Sequence, residues 1–314
     1  MTILHAAKLL MAGAVTIAAL GVVAAQAADT FDLSPDTSNR VRAEKSEAAI
    51  KALSPDFKFV TPGKFTVAIN AWDPPIATFA NDAKTIVGAD PDLASLLADS
   101  LGLELEIVSV AWADWPLGVA SGKYDAVISN VTVTEERKEK FDFSTYRKDV
   151  LGFYVKADSK ITEIKEPKDV AGLKVITGAG TNQEKIILEW DRENVAAGLA
   201  PIEVQYYDDR AASDLALQSG RADVEFNPNA TRAYGASIKH DTKLVGIVSG
   251  GWPLTAEIAV TTRKGAGLAD TVTVAINDLI KSGKYGEVLK RWSLDAEGID
   301  QSQTNPAGLP KSGS

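Results

Sequence analysis

The sequence has 314 residues, 45% of them hydrophobic, with a formal net charge of −9 and no cysteine. That length supports about two domains with sizeable cores. The acidic balance counts against nucleic-acid binding, which needs clustered Lys and Arg, and the missing cysteines exclude disulfides and a cysteine-linked lipid anchor.

Residues 1–27 read as a targeting segment. Lys8 is its only charged residue, an apolar run from Leu9 to Ala25 comes next, and Ala25-Gln26-Ala27 has the small-x-small form that signal peptidase cuts. The competing reading is a retained membrane anchor, for which the run is short and lacks basic flanks beyond it. Cleavage implies a soluble periplasmic protein. It also removes His5 and leaves His240 in the polar stretch Lys239-His240-Asp241. One surface histidine makes a zinc site or a histidine-based triad hard to build, so no metal or cofactor is expected.

Residues 28–61 form a polar lead-in with one short helix expected around Val41–Leu53. Phe65–Asn70 alternates apolar and polar residues, as a strand does. Asp90-Pro91 opens a helix, Asp as N-cap, with Leu93, Leu96, Leu97 and Leu101 on its face and Gly102 at its end. Strands are expected at Leu103–Val108 and Asp125–Ser129, with a short helix from Trp115 to Ser121 between them. The second half repeats the plan: strand Lys174–Thr177, helix Gln183–Asp191, strand Ile202–Tyr206, helix Ala211–Gln218. Ser121-Gly122-Lys123-Tyr124-Asp125 is echoed by Ser219-Gly220-Arg221-Ala222-Asp223, each after a helix and before a strand. This points to two similarly built α/β lobes with mostly parallel sheets. Leu268, Val272, Ile276 and Leu279 then form one helical stripe. Val288, Leu289 and Trp292 face inward from a shorter helix, and 301–314 is a polar tail.

Asn130-Val131-Thr132-Val133-Thr134-Glu135-Glu136-Arg137 carries the clearest chemistry. Thr134 can cap a helix starting at Glu135. Thr132 then falls at the C-terminal edge of the sheet, where open α/β sheets place ligands. Arg137 falls in the first turn, where the helix dipole disfavours a cation. It is either the fork that grips a ligand carboxylate or a solvated arginine in a charged stretch. Gly178-Ala179-Gly180-Thr181-Asn182 is either a second anion site, built on N–H groups at a helix start, or a plain strand–helix turn. Trp72, Trp112 and Trp252 are each either a ligand wall or packing, whereas Trp115, Trp190 and Trp292 read as packing.

Taken together, Val67–Pro75, Gly88–Ala94, Ser121–Arg137, Phe141–Ser144, Gly180–Glu184 and Ser282–Trp292 resemble the family 3 extracellular solute-binding proteins, the polar amino-acid class serving ABC importers. The resemblance implies a type II periplasmic-binding-protein fold: two lobes, each a mostly parallel sheet flanked by helices, joined by a double crossover. The first lobe would be 62–147 plus 256–300 and the second 150–253, with hinges near Tyr146–Val150 and Leu254–Glu257. The resemblance further implies a monomer that works with a membrane permease. By the family pattern Arg137 grips an α-carboxylate, Thr132 adds its hydroxyl and Asn130 its backbone carbonyl. The Thr181 and Asn182 region adds N–H donors, and an aromatic at Trp112 stacks on the ligand. The family usually holds the ligand ammonium with an aspartate in the second lobe. Here that stretch reads Glu225-Phe226-Asn227-Pro228-Asn229, so Asn227 or Asn229 offers a dipole instead, with Asp73 as a carboxylate that could compensate.

Two other functions compete with transport. One is a dehydratase of the cyclohexadienyl type, with Glu225 and Asp73 as its acids. The other is a ligand-sensing receptor domain, against which stands a polar tail with no second membrane segment.

Overall fold

The computed structural model describes residues 31–207 and 209–311, so the targeting segment expected at 1–27 lies outside the described residues. The chain opens with a short helix, α1 (Glu47–Ala52). It continues through β1 (Lys64–Ile69), a small hairpin of β2 (Thr78–Phe79) and β3 (Ile86–Val87), α2 (Ala89–Leu101), β4 (Glu104–Ser109), α3 (Trp115–Ala120), β5 (Ala126–Val127) and β6 (Phe141–Lys148). Asp149 leads into β7 (Val150–Lys156), β8 (Lys174–Thr177), α4 (Asn182–Ala196), β9 (Glu203–Tyr206), α5 (Arg210–Gln218), β10 (Val224–Pro228), α6 (Asn229–Lys239) and β11 (Thr242–Ser249). The return passes through β12 (Glu257–Arg263), α7 (Ala269–Lys281) and α8 (Lys284–Arg291). Among the described residues no helix is long and apolar enough to cross a membrane.

Two sheets result, in the orders β4-β1-β5-β12-β6 and β11-β7-β10-β8-β9. Each has parallel pairs on one side, β4-β1-β5 and β10-β8-β9, and antiparallel pairs on the other. The antiparallel strands are those that cross between the lobes. The two crossings are bonded to each other: Asp149 N–H donates to Ala256 C=O at 3.0 Å, and Gly250 N–H to Asp149 C=O at 2.9 Å. This is the two-lobed fold with a double crossover.

The strand at β1 is buried on both faces except at Lys64, rather than on alternate residues. Central parallel strands have helices on either side, so both faces must be apolar or satisfied. Asp90 is not the N-cap of α2. That place belongs to Gly88, at φ +142°, where a Cβ would lie 2.3 Å from the Ile76 carbonyl oxygen. The Asp90 side chain instead accepts from Tyr146 Oη at 2.8 Å in the interior. Gly102 ends the helix in the left-handed conformation, as a Schellman-type stop requires.

The repeated Ser-Gly-basic-x-Asp segments do the same job in both lobes. Asp125 Oδ2 accepts from Thr66 N–H at 2.8 Å, and Asp223 Oδ2 from Lys174 N–H at 2.9 Å. Each aspartate pins the start of the parallel strand beside it.

The expected stripes are core: Leu268, Val272, Ile276 and Leu279 are buried with Trp292 in the first lobe. Phe153, Trp190 and Phe226 stack in the second, and Trp252 meets Trp190 edge-on at 5.1 Å, so Trp252 packs there. The lead-in lies against the first lobe, its helix α1 shorter than the stretch expected. Ser46 caps it and donates to Asp278, Arg42 pairs with Asp99, and Phe57 and Phe59 rest on the core. Phe31 stacks on Tyr234 of α6 at 4.7 Å and lies 5.2 Å from Trp292, and so touches both lobes. At the other end, Leu309 N–H donates to Val133 C=O and its C=O accepts from Glu135 N–H, laying the tail along the first lobe.

Candidate functional site

The loops after β1, β4 and β5 face the turn after β8 and the helices α5 and α6, and the lobes meet there. Asn70 holds the first-lobe loops together, its N–H donating to Ser129 Oγ at 2.9 Å and its Nδ2 to Val110 C=O at 3.0 Å. Trp72 is half-buried in the same Asn70–Pro75 loop.

Arg137 lies at the centre of this seam, half-buried. Thr134 Oγ1 accepts from its N–H at 3.1 Å, the cap expected from sequence, but the segment beyond this cap is a single 3-10 turn, Arg137–Glu139, and not an α-helix. One turn has little dipole, so desolvation, and not the dipole, is what leaves Arg137 needing an anion. Its guanidinium lies 5.7 Å from the Trp112 ring and 5.9 Å from Trp115. Its Nη1 donates to Thr132 C=O at 2.9 Å, and its Nη2 reaches across the lobes to Gly180 C=O at 3.3 Å. Among the described residues no carboxylate forms an ion pair with it. Desolvation pushes its pKa down to about 10, against the pull of Asp149 and Glu136.

Behind Arg137, Thr132 Oγ1 donates to Asp149 Oδ2 at 3.1 Å. Asn130, at φ +52°, accepts on its side chain from Arg147, which also pairs with the buried Glu297. Burial pushes Asp149 up to about 6 in spite of Arg147. Thr132, Asn130 and Arg137 are thus gathered beside the crossing segment.

From the second lobe, Thr181 caps α4: its Oγ1 accepts from Glu184 N–H at 3.2 Å and donates to Gly178 C=O at 2.6 Å. Asn182 opens the helix, 6% exposed, and its Nδ2 has no hydrogen-bond partner among the described residues. Trp112 Nε1 comes within 3.9 Å of where a Gly180 Cβ would stand, so Trp112 packs against this turn across the seam. Of the two asparagines, Asn227 donates to Glu225 Oε1 at 3.0 Å and accepts from Gln183 Nε2 at 3.4 Å, joining the start of α4. Asn229 Oδ1 accepts from Tyr154 Oη at 2.9 Å.

Asp73 crosses the seam to two arginines that sequence reasoning missed, pairing with Arg232 of α6 and lying 3.4 Å from Arg210 Nε of α5. Both arginines also hold the buried Glu225, at 3.0 and 2.9 Å. Burial pushes Glu225 up to about 7 and Asp73 to about 6, Arg210 opposing in each case. Glu136 and Lys185 form a further cross-lobe pair at the surface. No local pattern marks Arg210 or Arg232, whose partner Asp73 is remote in sequence.

Two lobes hinged by a double crossover, with a desolvated cation and aromatic rings in the seam, define a clamshell binding protein. Residues 65–295 match the family model of bacterial extracellular solute-binding proteins, family 3, and the chain belongs to that family. The L-cystine-binding protein TcyJ of Escherichia coli (strain K12) is 31% identical over 73% of this chain and 82% of its own length. The arginine-binding protein ArgT of Corynebacterium glutamicum is 25% identical over 83% and 84%. Among solved structures, an ancestral arginine-binding protein bound to arginine is 28% identical with a TM-score of 0.63, over 73% of this chain and 98% of that one. The ancestral amino acid-binding protein AncCDT-1, described as a precursor of cyclohexadienyl dehydratase, is 26% identical with a TM-score of 0.63, over 73% and 95%.

Proposed function

We propose that this chain is the exported substrate-binding component of an ABC importer. It captures an amino acid or amino-acid-like molecule between its lobes and, as a periplasmic monomer, delivers it to a membrane permease. The observation that carries this reading is Arg137, held between the lobes with two carbonyl oxygens as its hydrogen-bond acceptors and, among the described residues, no carboxylate paired to it. A desolvated cation without a counter-ion is costly, and a ligand α-carboxylate supplies the missing charge through a two-pronged contact. With Glu184 N–H capped by Thr181, the N–H groups of Asn182 and Gln183 at the start of α4 have no partner within the helix and lie at the same turn as Gly180, which suits the same carboxylate. Trp112 offers a ring face beside it. The relatives bind cystine or arginine, which supports an amino-acid ligand.

A dehydratase using Asp73 and Glu225 as acids has weaker support. Both carboxylates are engaged by arginines, and Glu225 is buried away from any substrate.

The test is a thermal-shift screen of the mature protein against amino acids and small carboxylates. Binding to the native state at a hundredfold excess over Kd adds about 2.7 kcal/mol of stability. At least one α-amino acid should raise the melting temperature in a concentration-dependent way. A screen in which none does sinks the reading.

A further inference from the structure

We propose that Asp73 supplies, from the first lobe, the anion that completes the Arg210–Arg232 pair of the second lobe on closure. This wall of the cleft is then charge-compensated, and the ligand is an amino acid whose side chain carries no net charge. The proposal rests on the capture reading above and names the class of ligand within it.

The argument begins with an ion circuit. Arg232 joins Glu225 and Asp73, and Arg210 joins Glu225, Asp73 and Asp214, the last at 2.6 Å. Lys239 joins Asp214 at 2.6 Å. Among the described residues these are three cations and three carboxylates, so the closed circuit is neutral when all three carboxylates are ionised. Five of the six belong to the second lobe. That lobe's share of the circuit is three cations against two carboxylates, and the sixth member, Asp73, comes from the loop after β1. Only the closing of the lobes brings it in.

Burial makes this balance matter. The Arg232 and Glu225 side chains are 2% and 3% exposed, whereas those of Asp73 and Arg210 are 21% and 23% exposed and face the seam. In a low-dielectric seam an extra charge is expensive unless it is paired. A cationic ligand side chain would meet two guanidiniums whose carboxylates are already engaged. An anionic one would have to displace Asp73 from both arginines. An uncharged polar side chain meets neither penalty. It also finds amides nearby: Asn227 bridges Glu225 to Gln183, and the neighbouring Asn182 Nδ2 is a buried donor without a partner among the described residues. Amides offer donors and acceptors together, which suits a polar group without charge.

The experiment is calorimetric titration of the mature protein with three sets of probes: glutamine, asparagine, serine and cystine; arginine and lysine; glutamate and aspartate. In the native protein the tightest net-neutral probe should bind at least tenfold tighter than any charged one. Asp73→Asn frees one valence on the arginine pair, and glutamate or aspartate should then gain at least tenfold over the native protein. Arg137→Ala serves as the control. If it abolishes binding while the native protein prefers a charged probe, or while Asp73→Asn gives acidic probes no gain, the charge-compensation proposal is overturned and capture stands. If Arg137→Ala leaves binding intact, or no probe binds, the capture reading itself fails.

Discussion

Consider replacing Arg137 with alanine. In the closed molecule its guanidinium donates to Thr132 C=O and Gly180 C=O and lies over the Trp112 ring, and among the described residues no carboxylate is paired to it. Two bonds from a charged donor and two ring contacts favour its presence, while desolvation, which already pulls its pKa down to about 10, opposes it. These contributions are of similar size, about 1.5–3 kcal/mol for a bond to a charged group against several kcal/mol for desolvating an ion. Removing the side chain should therefore change the stability of the ligand-free protein by no more than about 1 kcal/mol, within the ordinary range for single substitutions. Binding should respond very differently. Truncating one partner of a buried charge pair costs about 2–5 kcal/mol, or roughly thirty- to several-thousand-fold in Kd. Chemical denaturation without ligand and calorimetry with the best amino acid from the screen give the two numbers. An unchanged affinity refutes the assignment of Arg137 as carboxylate anchor. A large loss of ligand-free stability with a small loss of affinity would make it a structural residue.

Three other outcomes are expected. Gly88→Ala should cost more than about 1 kcal/mol in urea denaturation, since φ is +142° and the new Cβ would stand 2.3 Å from Ile76 C=O; a neutral result would mean the N-terminus of α2 is not held as described. Burial pushes Asp90 up to about 6, so between about pH 4 and 6 the folded chain keeps a proton that the unfolded chain has released. Stability then falls as pH rises through that window, by at most about 1.4 kcal/mol per unit for one proton, and is level above it; denaturation of the native protein minus Asp90→Asn should show this slope, and the opposite sign refutes it. Phe31→Ala removes two aromatic contacts that touch both lobes, each worth about 0.5–1.5 kcal/mol. The ligand-free variant should scatter with a larger radius of gyration than the native protein, and an equal radius would show that Phe31 does not hold the lobes together.

Where local signals and tertiary demands agree, the sequence was legible. Strand β8 lies where its residues predict it, and the stripe Leu268–Leu279 is core, because a helix face or strand must bury whatever apolar surface it presents. The repeated aspartates proved more informative than composition suggests, since Asp125 and Asp223 make equivalent bonds. Asp90 misled for the opposite reason: Asp-Pro is a local start signal, but the close approach of Ile76 C=O decides the cap, and only glycine tolerates it. In the lead-in, Phe31, Leu33, Phe57 and Phe59 have no period, so nothing in their spacing showed that each rests on the core. Arg137 could be singled out because its cap and its charge stand together within one short segment. Arg210 and Arg232 could not, because their importance comes from a carboxylate on the other lobe.

The two crossing segments bear on how the clamshell can move. Each is continuous with strands in both sheets, and Asp149 ties the pair together through its own N–H and C=O. Connectors bonded in this way resist splaying and sliding, either of which would break those bonds, whereas torsion about the line between them leaves the bonds in place. On the capture reading proposed above, opening is thereby reduced to one angular coordinate. On that reading a ligand that is too bulky arrests the swing early, and one that fits lets it run to completion. Anything that grips both lobes from outside can read the contents of the cleft from that angle without touching the ligand.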